Sequence, residues 1–290
     1  MLAKLKEVLN EARKNEYAVA AFNTPNLEMI RAAIRAAEDL DVPVILQHAE
    51  GHDNLISLEE IGPIMIDYAK RSRVPVVVHL DHGKSIEAIR KAIEIGFTSV
   101  MIDASDCDFE TNVEKTKEVV KLAHSHDVSV EAELGHVFTS SLGGGEGREP
   151  DDDLVGKTDD IYTDPILAKK FVEETNVDCL AIAFGTVHGI YLKEPNLDLR
   201  RIKDIYEVTN VPLVMHGGSG LNEVDYLEAI RNGITKINYY TYANRAGAAV
   251  IKRNIKTPKL FFEDYVSIAT QGIKENYIQA LKIFTQQKRK

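Results

Sequence analysis

Three histidines sit in glycine-flanked settings that suit metal chemistry: Asp81-His82-Gly83, His188-Gly189 and His216-Gly217-Gly218-Ser219-Gly220. Imidazole is a good ligand for Zn²⁺, and three protein ligands leave the fourth position open, as a catalytic site requires. The adjacent glycines let a ligand or phosphate approach the backbone closely. Taken singly, each histidine also reads as a core or hydrogen-bonding residue; it is the shared setting that favours ligation. Asp81, Asp103 and Glu133 are acids able to bind a metal or move a proton, and Asn23 and Asn238 add amides. The remaining histidines read differently. His79 lies inside a strand and suits a core role, and His124 and His126 fall at a helix end. His48, His52 and His136 lie near the reactive face, where they could touch substrate.

The elements that must carry these residues follow from periodicity. Short apolar runs alternate with helix-period segments along nearly the whole chain, the pattern of repeated βα units around a parallel sheet. Eight strand candidates are Tyr17–Phe22, Val42–Gln47, Val74–Leu80, Ser99–Asp103, Val128–Glu133, Cys179–Ala183, Val211–His216 and Lys236–Tyr239. Each is rich in Val, Ile, Leu or Ala, as strands buried on both faces require. Helices are expected at Leu27–Leu40, Ile86–Ile95, Thr111–His124 and Glu223–Asn232, with stops at Ile95-Gly96 and Asn232-Gly233. The pattern predicts a closed TIM (β/α)₈ barrel with two extra C-terminal helices, roughly Tyr242–Arg253 and Glu263–Phe284, which suit oligomer contacts. A doubly wound open sheet fits less well, because no GxGxxG follows the first strand. In a barrel, reactive groups gather at the C-terminal strand ends. Asn23, Asp81, His82, Asp103, Glu133, His216 and Asn238 fall there, with His188 a few residues beyond the sixth strand.

The chain of 290 residues suits one barrel domain spanning 1–290. Its 44% hydrophobic and 28% charged residues are an ordinary soluble balance. A net charge of -10 argues against nucleic acid as a partner, since phosphate backbones need a basic face. A small anion is still admissible, because a metal and backbone N–H groups bind it locally. The two cysteines, Cys107 and Cys179, form no disulfide framework and suit a reducing cytoplasm. The N-terminal segment from Met1 to Leu9 reads as an amphipathic helix, neither signal peptide nor membrane span. One long irregular segment, about His136 to Asp160, holds Gly143-Gly144-Gly145-Glu146-Gly147 and Asp151-Asp152-Asp153 and reads as a mobile lid.

Several ordered motifs together resemble the class II fructose-bisphosphate and tagatose-bisphosphate aldolases. They are His79-Leu80-Asp81-His82-Gly83, Ser99 to Ser105, Ser129 to Gly135, Gly185-Thr186-Val187-His188-Gly189, His216 to Gly220 and Lys236-Ile237-Asn238. The resemblance runs from about Leu2 to Phe284. It implies a Zn²⁺ enzyme that cleaves or forms a ketose phosphate through an enediolate of dihydroxyacetone phosphate, with room for a monovalent cation as well. It implies His82, His188 and His216 as zinc ligands and Asp81 as the acid that serves the aldehyde oxygen. Asp103 and Glu133 match positions of a second or displaced metal. Gly189, Gly217, Gly218 and Ser219 would cradle the phosphate, assisted by Asn238 and Thr241, with Asn23 also on the substrate. Glu146 fits the lid base of a Gly-Gly-x-Glu pattern, with Glu149 as the competing candidate. A homodimer or homotetramer is the implied assembly. A Schiff-base aldolase would need a lysine aimed into the mouth, and Lys236 reads as starting its strand at the wrong end.

The chain departs from the family pattern at three places. Ala49 stands where a serine usually contacts a second phosphate. Tyr240 stands where Asp or Asn is usual. The stretch Tyr265–Lys274 lacks an arginine that a neighbouring subunit often supplies. Two of these losses concern the same end of the substrate, which suggests an acceptor aldehyde without the usual phosphate; replacement contacts from His48, His52 or Lys84 are the competing explanation. A non-catalytic sugar-phosphate or metal-binding barrel is the alternative outside catalysis, and a metal hydrolase fits poorly because Phe22-Asn23-Thr24 replaces a His-x-His start.

Overall fold

Side chains at the helix starts close their own ends. Asn26, Ser57, Ser85, Asp108, Asp164, Asp198 and Asn222 each accept a hydrogen bond from a first-turn backbone N–H. At the other ends, Asp41, Gly96 and Asn176 take left-handed conformations with φ of 54°, 102° and 58° and turn the chain back toward the sheet. Sharp starts and stops of this kind confine each helix to one crossover.

The computed structural model describes residues 1–143, 150–151, 161–257 and 260–287. Its strands are β1 (Val19–Asn23), β2 (Val44–Ala49), β3 (Val76–Gly83), β4 (Ser99–Ile102), β5 (Ser129–Leu134), β6 (Phe138–Thr139), β7 (Cys179–Ile182), β8 (Val187–His188), β9 (Leu213–Met215) and β10 (Ile234–Tyr239). Its helices are α1 (Leu5–Lys14), α2 (Leu27–Leu40), α3 (Leu58–Arg71), α4 (Ile86–Ile95), α5 (Phe109–Ser125), α6 (Pro165–Thr175), α7 (Leu199–Val208), α8 (Glu223–Arg231), α9 (Thr241–Asn254) and α10 (Phe262–Phe284). Parallel strands close a barrel in the order β1-β10-β9-β7-β5-β4-β3-β2, so the chain forms the expected TIM barrel. No described helix is long and apolar enough to cross a membrane.

Two differences from the sequence expectation bear on the site. The run Val211–His216 shortens to β9, leaving His216 just past the strand, while β3 extends through Asp81 and His82 to Gly83. The segment expected to be irregular from His136 begins with β6, which pairs with β8 outside the barrel, Phe138 against Val187 and Thr139 against His188. Phe138 and Thr139 are buried, a bulky apolar and a β-branched residue that suit a short strand. The rest of the proposed lid, 144–149 and 152–160, lies outside the described residues.

Two apolar layers hold the barrel. Between sheet and helices, residues such as Phe22, Leu46, Val78, Val130, Leu180 and Ile237 pack against the helix faces. The bottom of the barrel interior is a separate cluster, Val19, Ala21, Ile45, Val77, Cys179, Ala181 and Val214, plugged by Leu5, Val8, Leu9 and Ala12 of α1. Strand side chains alternate between these layers with period two. Of the C-terminal helices, α10 packs on α9, α2 and α8, and Phe22 stacks on Tyr277 of α10 at 3.8 Å between ring centroids.

Candidate active site

The same interior faces that are apolar below become polar above. Two residues further along β1 from Ala21 stands Asn23; along β2 from Ile45, Gln47; along β3 from Val77, His79 and then Asp81. Glu131 and Glu133 rise from β5, and Lys236 and Asn238 from β10. All of these are at most 2% exposed. Buried polar groups of this density are stable only when bonded to one another.

Asp81 is fixed by three amides. Its Oδ2 accepts hydrogen bonds from Asn23 Nδ2 at 2.9 Å and Gln47 Nε2 at 3.1 Å, and its Oδ1 accepts from Asn238 Nδ2 at 3.1 Å. Burial by itself would raise its carboxyl pKa, but His82, His216, Lys236 and His79 outweigh burial and bring it down to about 2. The free site therefore presents Asp81 as a carboxylate.

Adjacent residues on a regular strand point to opposite faces. Asp81 and His82 escape that rule because His82 has φ 44°, and the β3–β4 register shifts between Leu80 and Gly83. A positive φ at a residue with a Cβ is strained, and such strain gathers at functional positions. Gly83 is required by the close approach of β4, since a Cβ there would lie 2.5 Å from Met101 O.

The three histidines converge. Ring centroids lie 4.6 Å apart for His82 and His216, 5.0 Å for His82 and His188, and 5.7 Å for His188 and His216. One ring nitrogen of each falls within 4.8 Å of the others, and all three residues are buried. His82, Asp103 and Glu133 form a second such group that shares His82. The donor set fits a metal in a further respect. His82 Nδ1 lies 2.8 Å from Asp103 Oδ2, and His216 Nε2 lies 2.9 Å from Glu131 Oε1. Carboxylates on the far nitrogens set the tautomer and orientation of ligating imidazoles. His216 Nδ1, the nitrogen left to ligate, lies 3.0 Å from Glu133 Oε2. Burial would lower the His216 pKa, yet Glu131 and Glu133 raise it to about 10. The position therefore favours a positive charge, whether a proton or a metal ion supplies it.

Gln47, Glu131 and Lys236 are residues the sequence reading missed as part of the site. Lys236 is not the first residue of its strand but the third, with its side chain inside the barrel. Its Nζ lies 2.9 Å from Glu131 Oε2 and donates to Glu131 Oε1 at 3.1 Å and to Asn238 Oδ1 at 2.8 Å. One ammonium thus ties the carboxylate behind His216 to the amide that holds Asp81. With its ammonium held this way, Lys236 is not a free nucleophile, which accords with metal rather than Schiff-base chemistry. The period-two spacing Lys236, Asn238 and Glu131, Glu133 was the available signal, because each pair must share a face. His79 takes its expected core role, with Nδ1 2.8 Å from Ser99 Oγ and burial, then Lys236, lowering its pKa to about 3.

The glycine-rich segments lie around the same mouth. Gly217 has φ 62°, and a Cβ there would lie 2.6 Å from the Val187 carbonyl; Gly189 has φ 90° and equally close contact with Leu142 O, at 2.5 Å. Tyr191 bridges the two segments, accepting from Val187 N at 3.2 Å and donating to Gly217 O at 2.8 Å. Ser219 Oγ accepts from Tyr240 N at 2.8 Å, and Thr241, first residue of α9, donates to Gly143 O at 3.4 Å. Gly218 lies against the Asn238 carbonyl. Glu146 and Glu149, the two base candidates, lie outside the described residues.

The family profile for fructose-bisphosphate aldolase class II matches residues 3–289. The chain belongs to the class II fructose-bisphosphate aldolase family. It is 41% identical over 290 residues to a Bacillus subtilis protein named probable fructose-bisphosphate aldolase, covering 98% of this chain and 97% of that one. It is 39% identical over 284 residues to the Escherichia coli protein YdjI, covering 98% of each. The crystal structure of the YdjI aldolase superposes with a TM-score of 0.86 at 37% identity, over 98% of this chain and 97% of that one. A Campylobacter jejuni fructose-bisphosphate aldolase structure, at 19% identity and TM-score 0.76 over 98% and 95% of the two chains, shares the fold.

Three departures from the family pattern have defined positions in this aldolase. Ala49 is buried at the end of β2, in register with Asp81. The Tyr240 ring packs 5.0 Å from that of His52. Within 265–274, Lys274 Nζ is 2.6 Å from Asp39 of the same chain.

Proposed function

We propose that the protein is a zinc-dependent aldolase that joins dihydroxyacetone phosphate to an aldehyde, and cleaves the corresponding ketose phosphate, as one barrel domain of a cytoplasmic homodimer or homotetramer. The observation that carries this reading is Asp81, buried as a carboxylate by three amides beside the three-histidine cluster. His82, His188 and His216 would hold the metal. Zn²⁺ bound there supplies Lewis-acid polarisation of the ketone oxygen, easing loss of a proton from the neighbouring carbon.

The protein's own residues account for much of the rest. In cleavage, Asp81 takes the proton of the hydroxyl whose carbon becomes the aldehyde, the carbon–carbon bond breaks, and the electron pair stays with the ketone fragment. In condensation the same carboxyl returns that proton to the aldehyde oxygen. A pKa near 2 suits the cleavage direction, because the group waits ionised. Asn23, Gln47 and Asn238 keep both oxygens in place, and Lys236 keeps Asn238 in place. Gly189, Gly217, Gly218 and Ser219 with Thr241 offer a close-approach backbone cradle for the donor phosphate. Glu146, or Glu149, completes the reaction as base at the carbinol carbon. Asp103 and Glu131 orient His82 and His216, and Asp103 and Glu133 would offer further ligands to a metal.

Ala49 brings no hydroxyl to the end of β2, and Lys274 is engaged by Asp39. Both fit an acceptor aldehyde without a second phosphate. The test incubates zinc-loaded protein with dihydroxyacetone phosphate in D₂O and follows carbinol proton exchange by NMR, with a chelated sample beside it. Zinc-dependent exchange is expected; none, with zinc confirmed bound, overturns the reading. Cleavage of ketose 1-phosphates should exceed that of fructose 1,6-bisphosphate, and strong preference for the bisphosphate removes the acceptor assignment.

A further inference from the structure

Outside the three-histidine cluster, the mouth of the barrel holds a buried imidazole with no hydrogen bond at either nitrogen among the described residues. His52 lies in the 3₁₀ turn Glu50–Asn54 that follows β2. It is 2% exposed, and neither Nδ1 nor Nε2 has a hydrogen-bond partner. Buried polar groups are nearly always bonded, so a ring with both nitrogens unmet needs a reason. Core histidines in this protein find partners, as His79 does with Ser99. The surroundings place His52 at the reactive end. Its ring lies 5.0 Å from that of Tyr240, which follows β10, and 6.2 Å from that of His48 on β2. It is electrostatically coupled to Asp81 and His82. At the end of the neighbouring β1, Thr24 Oγ1 is likewise buried without a partner.

We infer that His52 determines acceptor specificity by binding a neutral hydroxyl group of the aldehyde through its two ring nitrogens. This rests on the aldolase reading of the site. A neutral imidazole offers one donor and one acceptor, which matches a hydroxyl, itself donor and acceptor. A phosphate offers acceptors only and calls for cations. The titratable groups that act most on the His52 ring are His48, Asp81, His82 and Asp53. His48 itself is engaged through Nε2 by Asp53 at 2.8 Å, which places a carboxylate beside the subsite. Lys84, the cation in nearby sequence, is exposed, and its backbone N–H is bound by Glu50 Oε2 at 2.6 Å. Burial, then His48, lowers the His52 pKa to about 4, in keeping with a neutral ring.

The experiment measures kcat/KM for condensation of dihydroxyacetone phosphate with three aldehydes: glyceraldehyde, propanal, which lacks the hydroxyls, and glyceraldehyde 3-phosphate. Zinc-loaded full-length protein is compared with His52→Phe and His52→Gln. The expected wild-type order puts glyceraldehyde first. His52→Phe should cut the glyceraldehyde-to-propanal ratio by about tenfold or more, mainly through KM for the aldehyde, and His52→Gln should restore most of it. Because the readout is a ratio within one variant, partial loss of folded protein cancels. A ratio within about twofold of wild type in His52→Phe overturns the inference. So does a wild-type preference for the phosphorylated aldehyde that His52→Phe removes. Absence of donor proton exchange in the wild-type protein overturns the aldolase reading and this inference together; exchange with an unmoved ratio overturns this inference alone.

Discussion

The two ends of the barrel interior share β1, β2 and β3 and obey opposite rules. At the bottom, Val19, Ala21, Ile45, Val77, Cys179, Ala181 and Val214 close against Leu5, Val8, Leu9 and Ala12 of α1. On β1, β2 and β3 a step of two to four residues up the same faces meets Asn23, Gln47, His79 and Asp81, and β5 and β10 add Glu131, Glu133, Lys236 and Asn238, all buried. The bottom gains stability from area removed from water, about 25 cal/mol per Å² of apolar surface. The top removes charges from water, which costs free energy unless each finds a partner. The comparison teaches where tolerance lies: a lower residue can shrink and leave function intact, while an upper one carries neighbours with it.

The largest expected effect tests whether the top works as a proton-handling site. Asp81→Asn keeps the size of the side chain but cannot take a proton, and should lower the cleavage rate by about 10²–10⁴-fold. Thermal unfolding should change little beside that loss. A decrease under tenfold, measured in steady-state cleavage, would separate Asp81 from the chemistry.

Next comes the ion pair that links the metal ligands to Asp81. Lys236→Met leaves Glu131 buried without its ammonium and should cost about 3–5 kcal/mol in urea unfolding. The double variant Lys236→Met, Glu131→Gln should recover part of that stability without recovering activity. Recovery of both would mean the pair holds the fold and does nothing for the site.

The bottom offers the contrast. Leu9→Ala removes a fully buried side chain of the plug and should cost about 2–5 kcal/mol. Its kcat/KM at 25 °C should stay within about threefold of wild type while the protein is folded. A catalytic loss like that of Asp81→Asn would show that the plug and the mouth are not separable.

The smallest effect is a pH trend. Burial would raise the Glu131 carboxyl, but Lys236, His216 and His79 hold it well below the usual 4.5. A depressed folded pKa gives stability that is complete above the unfolded value and lost as pH falls through the folded one. The stability gap between wild type and Lys236→Met should therefore be full at pH 7 and narrow below about pH 4.5. Urea midpoints at pH 7, 5 and 4 measure it; a gap that widens in acid contradicts the pairing.

The barrel was legible in the chain because periodicity is local. Leu27–Leu40 and Ile86–Ile95 coincide with α2 and α4, and every strand candidate overlaps a barrel strand. Capping residues and Gly96 mark helix ends for reasons contained within a few residues. His82, His188 and His216 were legible as candidates because glycine-flanked histidines at strand ends are a compact pattern. The roles of Glu131 and Lys236 were not, since apolar strand runs conceal a charge whose partner is 105 positions away.

Local spacing and residue type thus determined the βα repeat, the strand ends and the identity of the reactive groups. Tertiary structure decided what those groups do to one another. Closure of the barrel brings β10 beside β1 and carries Asn238 to Asp81, a contact no local rule contains. The positive φ of His82 turns two adjacent residues toward one mouth, against the alternation a regular strand imposes. Only in that closed, dry interior does each charge need a partner, and the meeting of distant side chains sets which ones stay charged.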